Sequence, residues 1–166
     1  MIEAKTAEIL LVEDNPQDLE MALRAFRKAN LSDRIHVARD GAEALEFIFC
    51  EGAHAARRIT DGPEVILLDL KLPKIDGFEV LTRVRGDART KAIPIVMLTS
   101  SKAQTDAVKS HQLGVSGYIV KPINFERLAE SARRLGLYWA VRDISIIVGV
   151  TGLNGWPHEG GRWHRS

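Results

Sequence analysis

Five short apolar runs, each rich in Val, Ile or Leu, recur along the chain and limit its fold more than any other feature. They span residues 9–12, 35–38, 65–68, 93–98 and 118–120. Continuous apolar runs of this length are typical of strands that are buried on both faces, as the strands of a parallel sheet are. The sequence therefore predicts five buried parallel strands.

The segments between these runs have the residue spacing of amphipathic helices. After Pro16, which suits a first helical turn, Leu19, Leu23 and Phe26 fall on one face. Two capping pairs, Asp40 with Glu43 and Ser101 with Gln104, predict the starts of two further helices. A last helix is predicted after Asn124 as its cap, with an apolar face formed by Leu128, Ala132, Leu135 and Trp139. Strands that alternate with helices indicate a doubly wound α/β fold, with a five-stranded parallel sheet between two layers of helices.

Composition excludes several classes of protein. The 23 basic and 22 acidic residues nearly cancel, so no overall field attracts nucleic acid or an anionic membrane. The single cysteine, Cys50, cannot form an internal disulfide, and the N-terminal residues lack the basic-then-apolar order of a signal peptide. No apolar run approaches the roughly 18 residues of a membrane span. We therefore expect a cytoplasmic protein that binds neither nucleic acid nor membrane.

Chemically active side chains follow four of the five predicted strands. Glu13 and Asp14 come after the first strand and Asp69 after the third, whereas Thr99 follows the fourth and Lys121 the fifth. Ligands of doubly wound sheets bind beyond the carboxyl ends of the strands, so these groups are expected to meet at one edge. Three carboxylates outweigh one lysine there, and a divalent cation would balance the charge. Oxygen ligands without His or Cys favour Mg²⁺.

A carboxylate, a magnesium ion, a lysine and a hydroxyl group together are typical of a phosphoryl-acceptor site. Asp69 would attack the phosphoryl group and form an acyl phosphate. Lys121 and Mg²⁺ would neutralise its oxygens, and Thr99 would donate a hydrogen bond to one of them.

These residues, in this order, closely resemble those of the response-regulator receiver domain of two-component signalling, over about residues 7–140. The resemblance implies a flavodoxin-like (βα)5 sandwich and Asp69 as the phosphorylation site. It also implies that Lys121 binds the phosphoryl group and that Thr99 and Tyr118 form the switch. The implied magnesium ligands are Asp14, Asp69 and the backbone carbonyl of Lys71, with Glu13 acting through water.

A narrower resemblance involves the stretches "HVARDGAEALEFIF", "LLDLKLPKIDGFEVL" and "LTSSKAQTDAVKSHQLGVSGYIVKPINFE". These are similar to the small regulators that work with cyanobacterial and bacterial phytochromes and lack an output domain. The resemblance implies a histidine kinase as the partner, specifically a phytochrome, and a homodimer that signals through protein contact.

The composition changes after residue 143, so we assign residues 1–143 to the receiver domain and residues 144–166 to a C-terminal tail or arm. The tail is too short for an output domain. Two interpretations are open: a disordered tail, or an arm whose strand-like residues 144–150 pack against another protomer.

Other functions are open as well. An intermediate phosphate shuttle in a relay would have the same sequence features. An aspartyl-phosphate phosphatase is disfavoured because that family has a second aspartate two residues after the nucleophile, where this chain has Lys71. A nucleotide-binding module would need a glycine-rich loop after the first strand, where "VEDNPQD" stands. We therefore expect a signalling domain rather than an enzyme, with self-phosphorylation and autodephosphorylation as its only reactions.

Overall fold

The computed structural model describes residues 9–109, 114–135, 141, 144, 146 and 147. Strands and helices alternate along it. The strands are β1 (Ile9–Val12), β2 (Ile35–Ala38), β3 (Val65–Asp69), β4 (Ile95–Thr99), β5 (Gly117–Val120) and β6 (Ile146–Ile147). The helices are α1 (Pro16–Lys28), α2 (Gly41–Ile48), α3 (Gly77–Arg85), α4 (Lys102–Lys109) and α5 (Phe125–Leu135).

The sheet has the order β2-β1-β3-β4-β5-β6, and its first five strands are parallel. This confirms the predicted doubly wound fold. The difference is β6, which pairs antiparallel with Gly117 and Tyr118 of β5. The two residues of β6 thus pair within the chain, whereas one of the two open interpretations had them pack against another protomer. Trp139 and residues 148–166 of the predicted tail lie outside the described residues.

Strand β4 begins two residues later than predicted. The N–H of Ile93 donates to the carbonyl oxygen of Thr90 in a turn, at 3.0 Å, so Ile93 does not join the sheet. Pro94 has no N–H to give to a neighbouring strand, although its carbonyl oxygen accepts from Ile66 at 2.9 Å. At the other end, β4 extends to Thr99 and β3 to Asp69. Asp69 and Thr99, two of the predicted site residues, are thus held by the sheet itself.

Two separate cores lie on the two faces of the sheet. Alternate residues of each buried strand point to opposite faces, so Leu11 and Leu67 pack under α1 and α5, whereas Leu10 and Leu68 pack under α2, α3 and α4. Each of these four side chains is fully buried. Among the helices that the structure describes, none is both long and apolar enough to cross a membrane.

Side-chain caps start the helices close to the ends of the strands. Asp40 accepts a hydrogen bond from the N–H of Glu43 at 2.7 Å, and Ser101 accepts one from Gln104 at 3.1 Å. Both predicted capping pairs are confirmed. The second residue of each pair also accepts a hydrogen bond through its side chain, from the N–H of the residue before the cap. Glu43 accepts from Arg39, and Gln104 accepts from Ser100.

Gly77 allows α3 to begin directly against the end of β3. Its N–H donates to the carbonyl oxygen of Leu70 at 2.9 Å. A Cβ atom at this position would lie 2.5 Å from the backbone oxygen of Asp69 and 2.9 Å from the Cα of Leu70. Glycine is therefore needed because the helix approaches the end of β3 so closely.

We expect Gly77→Ala to lower the free energy of unfolding by roughly 1–3 kcal/mol, the usual cost of forcing extra atoms into a packed region. Urea denaturation measures this. The control is Gly86→Ala, whose added Cβ would come no closer than 3.2 Å to the carbonyl oxygen of Thr82. It should cost clearly less, and equal costs would contradict the role given to the close approach at Gly77.

Candidate functional site

The candidate site lies at the carboxyl edge of the sheet, where β1 has β2 on one side and β3 on the other. The connection from β1 to β2 runs to one side of β1, and the connection from β2 to β3 crosses to the other side. This change of direction opens a crevice beyond the strand ends. Val12 is paired with Leu68 in the sheet register. The residues that follow them, Glu13 and Asp69, are therefore neighbours across the two strands.

Three carboxylates meet in this crevice. Glu13, Asp14 and Asp69 each offer one oxygen atom, and these oxygens all lie within 4.8 Å of one another. Glu13 and Asp69 are buried, with 1% and 7% of their surface exposed, whereas Asp14 is exposed. Hard oxygen donors at this spacing, open to solvent on one side, fit a divalent cation.

Lys121 supplies the positive charge of the site. Its Nζ lies 2.7 Å from a carboxylate oxygen of Glu13, 3.3 Å from one of Asp69 and 3.4 Å from one of Asp18. The backbone N–H of Lys121 donates to the carbonyl oxygen of Thr99 at 2.8 Å, and the peptide bond to Pro122 is cis. One ammonium group thus links three carboxylates.

Asp18 is the member of this group that sequence reasoning missed. It lies in the first turn of α1, where its own N–H donates to the side chain of the cap, Asn15, at 2.9 Å. The signal was an additional acidic residue one helical turn after the acidic pair. It was overlooked because acidic residues are common in the first turn of any helix.

Burial and the neighbouring charges change the acidity of the buried pair. Burial raises the pKa of Glu13 from 4.5 to about 7, against the opposing effect of its hydrogen bond with Lys121. The negative charge of Asp69 raises it further. Burial by itself would lower the pKa of Lys121, but the hydrogen bond with Glu13 and the carboxylates around it raise that pKa above its usual value. Lys121 therefore stays charged, and Glu13 is the group that takes up a proton near neutral pH.

Thr99 and Tyr118 lie behind the carboxylates. Thr99 is completely buried, and its Oγ1 lies 3.0 Å from Oγ1 of Thr105 in α4. Tyr118 is 9% exposed and packs in the core under α2, α3 and α4. The aromatic side chain of the implied switch thus lies inside the protein in this structure.

Lys71 follows Asp69 by two residues. Its N–H donates a long hydrogen bond to Oδ1 of Asp69, at 3.4 Å. It lines a hollow beside the carboxylates together with Asp14 and Asp76. Of the predicted site residues, the structure brings Glu13, Asp14, Asp69 and Lys121 together. Thr99 is joined to them through the backbone of Lys121, whereas Tyr118 packs in the core.

Comparison with known proteins agrees with this geometry. A family model for the response regulator receiver domain matches residues 9–133. The chain is 37% identical over 136 residues to the probable methanogenesis regulatory protein FilR2 of Methanothrix harundinacea, which covers 79% of this chain and 82% of FilR2. It is 33% identical over 131 residues to the response regulator Rcp1 of a Synechocystis species, which covers 79% of this chain and 87% of Rcp1.

Solved structures agree as well. The crystal structure of the Mn²⁺-bound form of Rcp1 matches with a TM-score of 0.62 and 32% identity, over 80% of this chain and 93% of that chain. The bacteriophytochrome response regulator RtBRR matches with a TM-score of 0.64 and 49% identity, over 78% of this chain and 76% of that chain. The chain therefore belongs to the response regulator receiver domain family and has that family's phospho-accepting role in two-component signalling.

Proposed function

We propose that this chain accepts a phosphoryl group on Asp69 from the phosphohistidine of a histidine kinase, with Mg²⁺ bound beside it. The observation that carries the proposal is the position of Lys121. Its ammonium group lies 3.3 Å from a carboxylate oxygen of Asp69, within the cluster formed by Glu13 and Asp14. An acceptor carboxylate with a positive charge at this distance is arranged for phosphoryl transfer.

In the transfer, a carboxylate oxygen of Asp69 attacks the phosphorus atom. A new oxygen–phosphorus bond forms as the phosphorus–nitrogen bond to the kinase histidine breaks, and the leaving imidazole keeps the electron pair of that bond. Lys121 turns from the carboxylates toward the phosphoryl oxygens, and Thr99 donates a hydrogen bond to one of them. Both interactions are strongest with the negative charge that develops in transfer.

The proposed ligands of Mg²⁺ are the carboxylates of Asp14 and Asp69 and the backbone carbonyl of Lys71, with Glu13 held through a water molecule. The three clustered carboxylates support this set, and Lys71 lines the same hollow as Asp14. Magnesium accepts oxygen ligands of this kind and keeps several of its waters. When bound, it would neutralise charge on the phosphoryl oxygens.

Thr99 and Tyr118 are the proposed switch that reports phosphorylation. Moving an equilibrium from 1:99 to 99:1 takes about 5.5 kcal/mol. One hydrogen bond from Thr99 to a charged group contributes roughly 1.5–3 kcal/mol. Repacking around Tyr118, which lies in the core on the α4 side, would have to supply the rest.

The proposed partner is a phytochrome histidine kinase. The support is the 49% identity to RtBRR, a bacteriophytochrome response regulator, although the relative FilR2 is described as a methanogenesis regulator. We further propose that the chain is cytoplasmic and signals as a homodimer, without binding nucleic acid or membrane. Val120, the last residue of β5, offers an apolar side chain for contact with a second protein molecule, because 49% of its surface is exposed.

Incubation with Mg²⁺ and a small phosphodonor should add one phosphoryl group to the wild-type protein and none to Asp69→Asn, because the amide is a much poorer nucleophile than the carboxylate. Intact mass measures the adduct. Asp33→Asn is the matched control, since Asp33 precedes β2 and thus lies at the opposite edge of the sheet. An adduct that persists in Asp69→Asn would remove the proposed acceptor.

Magnesium should stabilise the protein, and more strongly as the pH rises. The pKa of Glu13 is about 7 in the folded protein and 4.5 as a reference, so charged Glu13 opposes folding increasingly between these two pH values. A bound cation offsets the cost of burying the charged carboxylate and the repulsion from Asp69. At about 100 times the dissociation constant, Mg²⁺ should add about 2.7 kcal/mol to the free energy of unfolding.

Thermal unfolding with and without Mg²⁺ across the range from pH 5.5 to 8 measures this dependence. In Glu13→Gln the magnesium effect should vary much less with pH, because no proton competes at that position. A wild-type magnesium effect that is equally large at both ends of the range would contradict the place given to Glu13.

A panel of purified histidine kinases tests the proposed partner. The rate constant for transfer from a phytochrome kinase should exceed that from unrelated kinases by roughly tenfold or more, which corresponds to about 1.4 kcal/mol. Equal rates across the panel would count against phytochrome pairing and would leave the acceptor chemistry of Asp69 untouched.

A further inference from the structure

The hydroxyl groups of Thr99 and Thr105 form a contact that the proposed function does not explain. Their Oγ1 atoms lie 3.0 Å apart, and Oγ1 of Thr105 lies 3.1 Å from the carbonyl oxygen of Ser101. Thr99 ends β4, whereas Thr105 belongs to the first turns of α4. The hydroxyl of Thr99, part of the proposed switch, is therefore hydrogen-bonded to a side chain of α4.

The protons of this network can be assigned by counting. Each threonine hydroxyl has one proton, and a carbonyl oxygen can only accept. We assign the proton of Thr105 to the carbonyl oxygen of Ser101, which leaves the proton of Thr99 for the contact between the two hydroxyls. Thr99 needs that same proton to donate a hydrogen bond to a phosphoryl oxygen.

We propose that Thr105 is a positioning residue, which holds the hydroxyl of Thr99 against α4 in the unphosphorylated protein and so opposes the switch. This rests on the proposed function, because it assumes that a phosphoryl group on Asp69 recruits Thr99. The hydroxyl of Thr99 then bonds to the phosphoryl group instead of Thr105, because a hydrogen bond to a charged acceptor is stronger than one between neutral hydroxyls. The bond to Thr105 has to be given up in exchange.

The start of α4 does not depend on this bond. Ser101 Oγ accepts from the N–H of Gln104 at 3.1 Å, and Oε1 of Gln104 accepts from the N–H of Ser100 at 2.8 Å. These capping bonds stay in place when the hydroxyl of Thr105 is removed. A variant without that hydroxyl should therefore fold with α4 intact, which makes the proposal open to test.

The probe is beryllofluoride, which mimics the phosphoryl group on an aspartate, added with Mg²⁺ and followed by ¹⁹F NMR. Thr105→Val removes the hydroxyl and keeps the shape, so beryllofluoride should bind roughly three- to tenfold more tightly, which is the range expected from one lost neutral hydrogen bond. Thr105→Ser keeps the hydroxyl and should restore the wild-type dissociation constant.

The matched control is Thr82→Val. Thr82 in α3 donates the same kind of bond to a carbonyl oxygen four residues earlier, that of Phe78, at 2.8 Å. It tests the loss of such a helical bond away from Thr99, and it should leave beryllofluoride binding unchanged.

Tighter binding in Thr105→Val alone, with rescue in Thr105→Ser, supports the proposal. Unchanged or weaker binding in a Thr105→Val variant that circular dichroism shows to be folded overturns the proposal. An equal effect of Thr82→Val on beryllofluoride binding also overturns it. The wild-type protein separates this from the proposed function: if it binds no beryllofluoride and forms no adduct on Asp69, the proposed function fails, and this inference with it.

Discussion

The ammonium group of Lys121 is the interaction on which the rest of the site depends. Glu13 directly follows β1, and Asp69 ends the neighbouring strand β3. Both are buried, and two neighbouring buried carboxylates are costly without a counter-charge. The lysine reaches them from the end of β5, and β4 lies between β5 and β3 in the sheet. A flexible side chain with a compact charge can stabilise these carboxylates and then turn to a new anion.

Much of the fold could be predicted from the residues because each level of the sequence agrees with the next. Apolar runs gave the buried strands, capping pairs gave the helix starts, and their alternation gave the parallel sheet. The convergence of Asp14, Asp69 and Lys121 then followed without any knowledge of side-chain positions. In a parallel sheet all carboxyl ends lie at one edge, so residues far apart in the chain must meet there.

What the sequence could not supply depends on contacts made across the fold. Asp18 joins Lys121 only because α1 starts beside the carboxylates, and Thr105 meets Thr99 only because α4 folds back over β4. Neither residue type is unusual in a helix, so no local pattern marks it. The later start of β4 has a similar origin, because the turn at Thr90 competes with the sheet for the N–H of Ile93.

The two residues of β6 have a consequence for the integrity of the molecule. A parallel sheet that stopped at β5 would present an open row of backbone donors and acceptors, and such a row invites strands from other molecules. Ile146 and Ile147 occupy part of that row, opposite Tyr118 and Gly117. Strand β6 thereby protects part of the edge of the sheet. Its removal by proteolysis would expose the backbone of Tyr118, the proposed switch residue.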